Sequence, residues 1–326
     1  MTRCRRSPAA LLAASLLTCG ALLAWGCGTE SERDGMTARA QAPAPAPGTP
    51  GTASAPGLAP LATARRFNEV AAFALLREQV LRYGWRPAGS PALRRLAVRL
   101  RALMPRGRFE SIPGHPRLRN VVGTVPGRKP AIVVAAHYDV EAEPKGFVGA
   151  NDGAAGTAAV VTLARAFARL KRPRGARELH FVLFDGEEEP AGCAPFEACG
   201  IRGSRAYAAR HHRAIGDLVL LDYIAEKHGM SFPRELNSDP RLWARLRSAA
   251  KDVGVGSIFP AGTAGTAIID DHVPFIERGV RAIDVIDFDY PQRDTLQDDL
   301  DAVAERSLDA VGEAVHLLVA RLRRSG

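Results

Sequence analysis

Short apolar runs alternate with segments of helical spacing along most of this chain. Apolar runs bounded by turn residues predict strands over 120–125, 131–136, 179–184, 217–224 and 282–288. Apolar residues at helical spacing predict helices over 67–104 with a break at 87–91, and over 156–170, 204–211, 240–253 and 308–321. Strands that alternate with helices indicate an α/β fold, a three-layer α/β/α sandwich with a mostly parallel mixed central sheet. We expect the first two strands, which a turn at 126–127 separates, to pair as a hairpin.

The start of the chain has a different pattern. Basic residues over 3–6 precede an apolar run over 9–25, which is typical of a secretory signal rather than a permanent anchor. Cys27 follows Leu-Ala-Trp-Gly, an order that resembles the lipobox of bacterial lipoproteins, in which the cysteine is lipidated. Plain signal cleavage and a retained signal anchor are the alternatives. We expect an exported protein, either lipid-anchored to a membrane of the cell envelope through Cys27 or periplasmic or extracellular. Such compartments are oxidising, which favours a disulfide between Cys193 and Cys199 in a stretch with glycine and proline.

Composition then limits the domain organisation. Residues 28–61 are rich in alanine, proline, glycine, threonine and serine, so they cannot build a core and form an extended tether. The chain has 326 residues with 46% hydrophobic content, and residues 62–326 suffice for one large domain. We therefore predict a signal peptide over 1–27, a linker over 28–61 and a single catalytic domain over 62–326.

The net charge of +9 raises the question of nucleic-acid binding. The arginines are scattered through helical segments such as 94–101, and no basic patch interleaved with aromatic residues stands out. We therefore expect no nucleic-acid partner.

Carboxylates crowd at the ends of the predicted strands. The groups are His137 with Asp139, Asn151 with Asp152 in a glycine-rich turn, Asp185 with Glu187, Glu188 and Glu189, and Asp222. Ligands of parallel sheets bind beyond the carboxyl ends of the strands, so these side chains are expected to meet at one site. Carboxylates this close repel one another unless a cation holds them. Imidazole and carboxylate groups are zinc ligands, so the pattern predicts a hydrolytic metal site in which Asp139 holds the His137 imidazole from behind.

Several motifs in this order resemble a known family, the zinc aminopeptidases of peptidase family M28, and within it the glutaminyl-peptide cyclotransferase branch. The resemblance covers nearly all of the chain from about Phe67 onward and implies the zinc-exopeptidase type of α/β fold. Its motifs are His137-Tyr138-Asp139, Gly149-Ala150-Asn151-Asp152, Phe184-Asp185-Gly186-Glu187-Glu188, Gly203-Ser204-Arg205, Leu221-Asp222 and Asp270-Asp271-His272-Val273-Pro274-Phe275.

The resemblance implies roles for the acidic residues. Asp152 and Glu188 would be metal ligands, with Asp152 bridging if two ions bind. His137 and Asp222 would complete a two-metal arrangement, and Glu187 would be the general base. One glutamate of the adjacent pair can bind the ion while the other faces the reacting group. We therefore expect one or two Zn²⁺ ions.

Other residues of these motifs receive weaker assignments. In the cyclotransferases the acid corresponding to Asp270 joins a proton network with the base, so Asp270 is a catalytic candidate. His272 lies in a segment that shapes the pocket, and we expect a structural histidine there. For Asp185 and Glu189 we expect exposed turn charges.

The chain departs from the family pattern at one ligand. The last ligand is normally a histidine in a His-Thr segment, and here the matching run is Arg293-Asp294-Thr295. A carboxylate can also bind zinc, so we expect Asp294 to serve as a ligand in a more negative site. The alternatives are weak metal binding, preference for a harder ion, or loss of activity.

We expect the protein to be a monomer. Three functions are compatible with these residues. Asp185-Gly186 and the Asp-Asp-His-x-Pro-Phe segment favour a cyclotransferase that forms pyroglutamate at peptide or protein N-termini and releases ammonia. Arg293 in place of the tryptophan of cyclotransferases, together with His137 and Asp222, favours an aminopeptidase that hydrolyses N-terminal residues. Asp294 favours a third class, a catalytically impaired binding protein on the same fold.

Overall fold

Six strands form one mixed sheet in the computed structural model, which describes residues 57–324. They are β1 (Arg108–Ile112), β2 (His115–Val125), β3 (Arg128–His137), β4 (Arg177–Phe184), β5 (Ile215–Asp222) and β6 (Arg281–Ile286). The strand order is β1-β2-β4-β3-β5-β6. The β4, β3, β5 and β6 neighbours pair in parallel, whereas β1 with β2 and β2 with β4 pair antiparallel. The predicted mixed, mostly parallel sheet is confirmed.

The predicted hairpin of β2 and β3 is wrong, because β4 lies between these two strands. β3 is buried over its last seven residues, and a strand without an exposed face belongs in the centre of a parallel sheet. The short connection from β2 to β3 contains Gly127 and crosses the start of β4. A Cβ atom on Gly127 would lie 2.2 Å from the carbonyl carbon of Arg177 in β4. The true hairpin joins β2 to β1, a strand that the apolar pattern did not predict.

Helices cover both faces of the sheet. They are α1 (Glu69–Glu78), α2 (Pro91–Leu103), α3 (Gly156–Arg169), α4 (Phe196–Cys199), α5 (Arg202–His211), α6 (Pro240–Asp252), α7 (Val273–Ile276) and α8 (Glu305–Arg324). One face packs on α1, α2, α3, α6 and α8 through strand residues such as Val134 and Val219. The opposite face packs on α5 and α7 through the alternate residues, such as Val133 and Leu218. This alternation of side chains between two cores is the predicted three-layer arrangement.

Local sequence sets where the helices begin. Ser90 accepts a hydrogen bond from the Leu93 amide at 3.1 Å and precedes a proline at the first helical position. Asp239 accepts a hydrogen bond from the Leu242 amide at 2.7 Å and likewise precedes a proline, at the start of α6. Both are N-caps of the type that fixes a helix start. The predicted break near 87–91 therefore separates two helices.

The structure describes only the end of the predicted linker. The Gly57 carbonyl accepts a hydrogen bond from the Gly229 amide at 3.1 Å, and Ala59 is buried, so residues 57–61 pack on the domain. The predicted signal peptide, Cys27 and the linker residues before 57 lie outside the described residues. Among residues 57–324, every helix is too short or too polar to span a bilayer.

Candidate active site

The site is centred on His137, the last residue of β3. Its Nε2 atom lies 3.1 Å from Asp152 Oδ1 and 3.3 Å from Asp222 Oδ1, at the end of the neighbouring β5. Burial lowers the pKa of His137, but hydrogen bonds to both carboxylates outweigh burial and raise its pKa well above the ordinary value. Burial raises the pKa of Asp222 to about 7, against the opposing effect of His137. The structure thus brings three predicted ligands together.

A glycine-rich turn presents Asp152. Gly149 and Gly153 have positive φ angles of 52° and 86°, and a Cβ atom on Gly149 would lie 2.2 Å from the Asp152 carbonyl oxygen. Only glycine fits such a turn without strain. The Asp298 carboxylate accepts hydrogen bonds from the amides of Asn151 (2.8 Å) and Asp152 (2.9 Å). Burial, followed by the charge of Asp152, raises the pKa of Asp298 to about 7. Asp298 holds the turn, a role that the sequence analysis missed.

Asp139 fixes the backbone of the two central glutamates. Its carboxylate accepts hydrogen bonds from the amides of Glu187 (3.3 Å) and Glu188 (3.2 Å). The predicted hydrogen bond from Asp139 to the His137 imidazole is not formed, because the Asp139 oxygens accept from these two amides and Oδ1 is 3.9 Å from His137 Nδ1, beyond hydrogen-bonding distance. Glu187 Oε2 lies 4.0 Å from the same nitrogen. His137, Glu187 and Glu188 therefore form a second set of donors within 4.8 Å of one another.

Asp185 is not the exposed turn charge that we expected. Its side chain is buried, and Oδ2 accepts hydrogen bonds from the Arg119 amide (2.8 Å) and the Tyr138 hydroxyl (3.0 Å). Burial and the charge of Asp139 raise its pKa to about 7. Asp185 thus ties the end of β4 to β2 and to the segment after β3. The reason lies in sheet order, because β2 passes directly beside β4.

Arg86 is a buried cation behind the site that no motif indicated. Its guanidinium donates to the carbonyls of Tyr138 (3.3 Å), Val148 (2.5 Å) and Gly149 (3.2 Å). Burial lowers its pKa to about 10, while the charges of Asp152, Asp298 and Asp139 act in the opposite direction. Arg86 links the end of β3 to the glycine turn and offsets part of the negative charge of the site.

The Tyr223 hydroxyl lies between Asp294 and Asp152 of the site. The Tyr223 hydroxyl donates to Asp152 Oδ2 at 2.8 Å and lies 3.3 Å from Asp294 Oδ1. The Asp294 side chain is 44% exposed. In the part of the chain that the structure describes, Asp294 does not belong to a set of three donors within 4.8 Å. Its role as a ligand stays a prediction, and Tyr223 is a contact that the sequence analysis missed.

Three of the predicted ligands and the predicted base line one cleft. Its acidic walls are Asp152, Glu187, Glu188, Asp222 and Asp270, and its other walls are Tyr223, Ile268, Ile269, Ile286 and Phe288. Arg293 packs over the Phe288 ring at 4.1 Å, where the cyclotransferase pattern has tryptophan. Asp270 therefore faces the same space as the predicted base.

A further carboxylate, that of Glu141, lies beside Glu188 of the site. Donor atoms of Glu141, Glu188 and Glu189 lie within 4.8 Å of one another. Burial, followed by the charge of Asp152, raises the pKa of Glu141 to about 8. Glu141 lines a neighbouring cavity together with a loop in which Cys193 and Cys199 form a disulfide, with Cα atoms 6.2 Å apart. Glu141 was not singled out from the sequence, although it follows His137 and Asp139 at alternate positions.

The donor set suits a metal such as zinc. Each of the two sets that contain His137 offers one imidazole and two carboxylates, the donor types that zinc takes in proteins. All five of these residues are at most 7% exposed, and buried carboxylates this close favour a bound cation.

Comparisons with known proteins agree with the geometry. A glutaminyl-peptide cyclotransferase from Bothrops jararaca is 27% identical over 245 residues, which is 63% of this chain and 66% of that protein. The chain thus spans just under two thirds of that relative's length. The crystal structure of an Acidobacteriales bacterium glutaminyl cyclase is similar with a TM-score of 0.69 and 26% identity, covering 86% of this chain and 100% of that one. The Porphyromonas gingivalis glutaminyl cyclase gives a TM-score of 0.70 and 26% identity, with 79% and 100% covered.

The family itself follows from the sequence profile. The profile of peptidase family M28 matches residues 120–319, a range that contains every residue of the cleft described above. The predicted resemblance is confirmed: the chain belongs to peptidase family M28.

Proposed function

We propose that this protein is a zinc-dependent enzyme that acts on peptide or protein N-termini as a glutaminyl-peptide cyclotransferase, forming pyroglutamate and releasing ammonia. The observation that carries the proposal is the position of Glu187, whose backbone Asp139 fixes beside the His137 donor set. The relatives named as glutaminyl-peptide cyclotransferase and glutaminyl cyclase support the same reaction.

The residues that would hold zinc are Asp152 and Glu188, with His137 and Asp222 available for a second ion and Asp294 as the additional predicted ligand. When bound, zinc polarises a carbonyl oxygen of the substrate and stabilises the negative charge that develops there. The remaining chemistry falls to the side chains of the cleft.

Glu187 is the proposed proton carrier. In cyclisation, the substrate's α-amine nitrogen forms a bond to the side-chain amide carbon of an N-terminal glutamine, and the carbon–nitrogen bond of that amide breaks. Glu187 takes the proton that the attacking nitrogen loses and delivers it to the departing nitrogen, which leaves as ammonia. No water is consumed.

The cleft assists this transfer in two ways. Asp270 lines the same space as Glu187, which supports the expected proton network between the two acids. Ile268, Ile286 and Phe288 provide apolar walls, which limit the water that reaches the reacting atoms and so disfavour hydrolysis.

An aminopeptidase is the second candidate. It is favoured by the short distances from His137 Nε2 to Asp152 (3.1 Å) and Asp222 (3.3 Å), because these three donors could hold a second ion. In that reaction Glu187 would take a proton from water, and the oxygen would attack the first peptide carbonyl carbon. The carbon–nitrogen bond of that peptide would break, and Glu187 would deliver the proton to the departing nitrogen. An impaired binding protein is the third candidate, favoured by the exposed Asp294 in place of histidine.

The compartment is part of the proposal. Export and lipid anchoring through Cys27 rest on the sequence of residues 1–27, and a lipid anchor would place the enzyme at a membrane of the cell envelope. Peptides reaching that compartment would be the substrates.

One assay separates the three candidates. The purified, zinc-loaded protein is incubated with a peptide that begins with glutamine, and ammonia and free glutamine are measured together. We expect ammonia without free glutamine. Free glutamine would identify an aminopeptidase. Bound zinc without turnover, on this peptide and on peptides that begin with other residues, would identify the binding protein.

A further inference from the structure

A long groove lies in the helix layer that covers one face of the sheet. Its walls come from α1 and the residues before it, and from the second halves of α2, α3 and α8. Its volume is about 1160 Å³, above the roughly 300–1000 Å³ of typical small-molecule pockets. Two glutamates, Glu69 and Glu78, line it with a larger number of arginines, which are Arg65, Arg66, Arg99, Arg165, Arg169 and Arg324. This basic groove therefore carries an excess of positive charge.

Apolar side chains line the groove between the arginines. Val70 of α1 is 61% exposed, and Leu170, which follows α3, is 50% exposed. Leu103 and Leu317 are partly buried and continue this apolar surface toward the core. Single exposed apolar residues are common on proteins, but several in one groove indicate a surface that binds a partner.

Three of the arginines have free guanidinium groups. Arg99 pairs with Glu78 at 3.0 Å, whereas Arg66, Arg165 and Arg169 form no ion pair within residues 57–324. Arg165 and Arg169 are four residues apart in α3, so their side chains project from one face of the helix. Like charges at this spacing repel one another, and an anion bound by both guanidinium groups removes the repulsion.

The basic groove is separate from the active-site cleft. Among the described residues, none lines both. α3 begins at Gly156, close to the turn that presents Asp152, and its 14 residues extend for about 21 Å to Arg169. A partner bound at the end of α3 therefore lies well away from the cleft and leaves it open to peptides.

The combination of charge and apolar surface selects the partner. Arginines alone would suit a soluble anion, and apolar side chains alone would suit another apolar helix. An anionic phospholipid carries a phosphate group, which guanidinium groups bind by paired hydrogen bonds, and acyl chains, which cover apolar side chains.

We propose that the basic groove docks the domain on a membrane surface that contains anionic phospholipids. Arg66, Arg165 and Arg169 bind the phosphate groups, and Val70 and Leu170 contact the acyl chains. This docking is independent of the proposed reaction. A lipid on Cys27, if the predicted anchor forms, would keep the domain close to the bilayer, so that contacts of modest strength suffice.

The test measures how much protein sediments with lipid vesicles. The protein is prepared from residue 28 onward, so that it lacks the predicted signal peptide and lipidation site but keeps every described residue. Vesicles of phosphatidylcholine alone are compared with vesicles of equal parts of phosphatidylcholine and phosphatidylglycerol. We expect the protein to bind the anionic vesicles much more tightly than the neutral ones.

Two groove variants test the charged and the apolar side chains separately. Each arginine at an anionic surface contributes about fivefold to binding, so Arg165→Gln/Arg169→Gln is expected to weaken binding to the anionic vesicles by roughly 30-fold. Val70→Ser/Leu170→Ser is expected to weaken it several-fold, because the acyl chains lose their apolar contacts. Circular dichroism checks that each variant is folded.

Arg241→Gln/Arg245→Gln is the matched control. These two arginines are also exposed and four residues apart on a helix, but α6 lies outside the groove. The control is expected to keep the binding of the unsubstituted protein.

Three outcomes overturn the proposal. Equal binding of the unsubstituted protein to both kinds of vesicle would leave a soluble acidic protein as the partner. Equal binding by Arg165→Gln/Arg169→Gln and the control would show that the arginines of the groove have no special role. Full binding by Val70→Ser/Leu170→Ser would reduce the groove to a site for soluble anions. None of these measurements uses turnover, so the docking and the proposed reaction can fail separately.

Discussion

Tyr223 donates a hydrogen bond to Asp152, with 2.8 Å between Oη and Oδ2, and the same hydroxyl lies 3.3 Å from Asp294 Oδ1. A hydrogen bond to a ligating carboxylate orients it and tunes its affinity for the metal. Tyr223 therefore connects the central predicted ligand with the position at which the family pattern expects a histidine.

Removing the Tyr223 hydroxyl tests this connection. We expect Tyr223→Phe to weaken zinc binding by roughly 10–100-fold, the usual cost of losing such a partner. Competition titration with a chromophoric chelator measures the affinity. Tyr207→Phe is the control, because Tyr207 is also buried but its hydroxyl contacts His180 at 2.7 Å. Equal affinities for Tyr223→Phe and the unsubstituted protein would show that the hydroxyl does not support the metal site.

Restoring the family residue at position 294 tests whether this position contacts the metal. Asp294 has a φ angle of 59°, a left-handed conformation that histidine tolerates better than most residues. We expect Asp294→His to bind zinc more tightly than the unsubstituted protein, because imidazole suits zinc better than a carboxylate does. We expect Asp294→Asn to bind zinc less tightly, because a neutral amide is a weaker zinc ligand than a carboxylate. The same competition titration measures both. Three equal affinities would remove Asp294 from the set of ligands.

A buried histidine that does not line the cleft predicts a pH effect on stability. His316 in α8 stacks on Phe167 at 4.6 Å, and burial, followed by the charge of Arg66, lowers its pKa to about 4. The unfolded chain, with a histidine pKa of about 6.5, then binds more protons between these values, so stability is lost as pH falls through this window. The full loss is about 3 kcal/mol.

We expect His316→Phe to keep the ring stacking and to remove this part of the acid sensitivity. Urea unfolding at neutral and at mildly acidic pH measures the difference in the free energy of unfolding. His228→Gln, at an exposed position, is the control and is expected to keep the acid sensitivity. An unchanged pH dependence in His316→Phe would contradict the assigned cause.

The sequence predicted much of the site because the residues follow a simple rule of the fold. His137, Glu187 and Asp222 each end or follow a strand of the parallel part of the sheet, and parallel strands end at the same edge. Their convergence therefore required only correct strand assignment. The predicted hairpin of β2 and β3 was wrong because the order of strands in a sheet depends on long-range pairing, which a local pattern does not contain.

The supporting residues were missed because their roles depend on contacts between distant segments. Arg86 is 52 residues before Tyr138, Tyr223 is 71 residues after Asp152, and Asp298 is 146 residues after Asp152. Nothing in the local sequence of these three residues distinguishes them from ordinary core or loop positions. Their function appears only when the fold brings the segments together.

Glu187 carries the chemistry of the proposed reaction, and its substitution tests the central claim most directly. Zinc content and ammonia release from a glutaminyl peptide are measured in the same preparations of the unsubstituted protein and of Glu187→Gln. We expect both proteins to bind equal zinc, and we expect the variant to lose at least roughly 100-fold in rate, the usual size of a general acid–base contribution. Ammonia release by Glu187→Gln at the rate of the unsubstituted protein would contradict the assignment of Glu187 as the proton carrier.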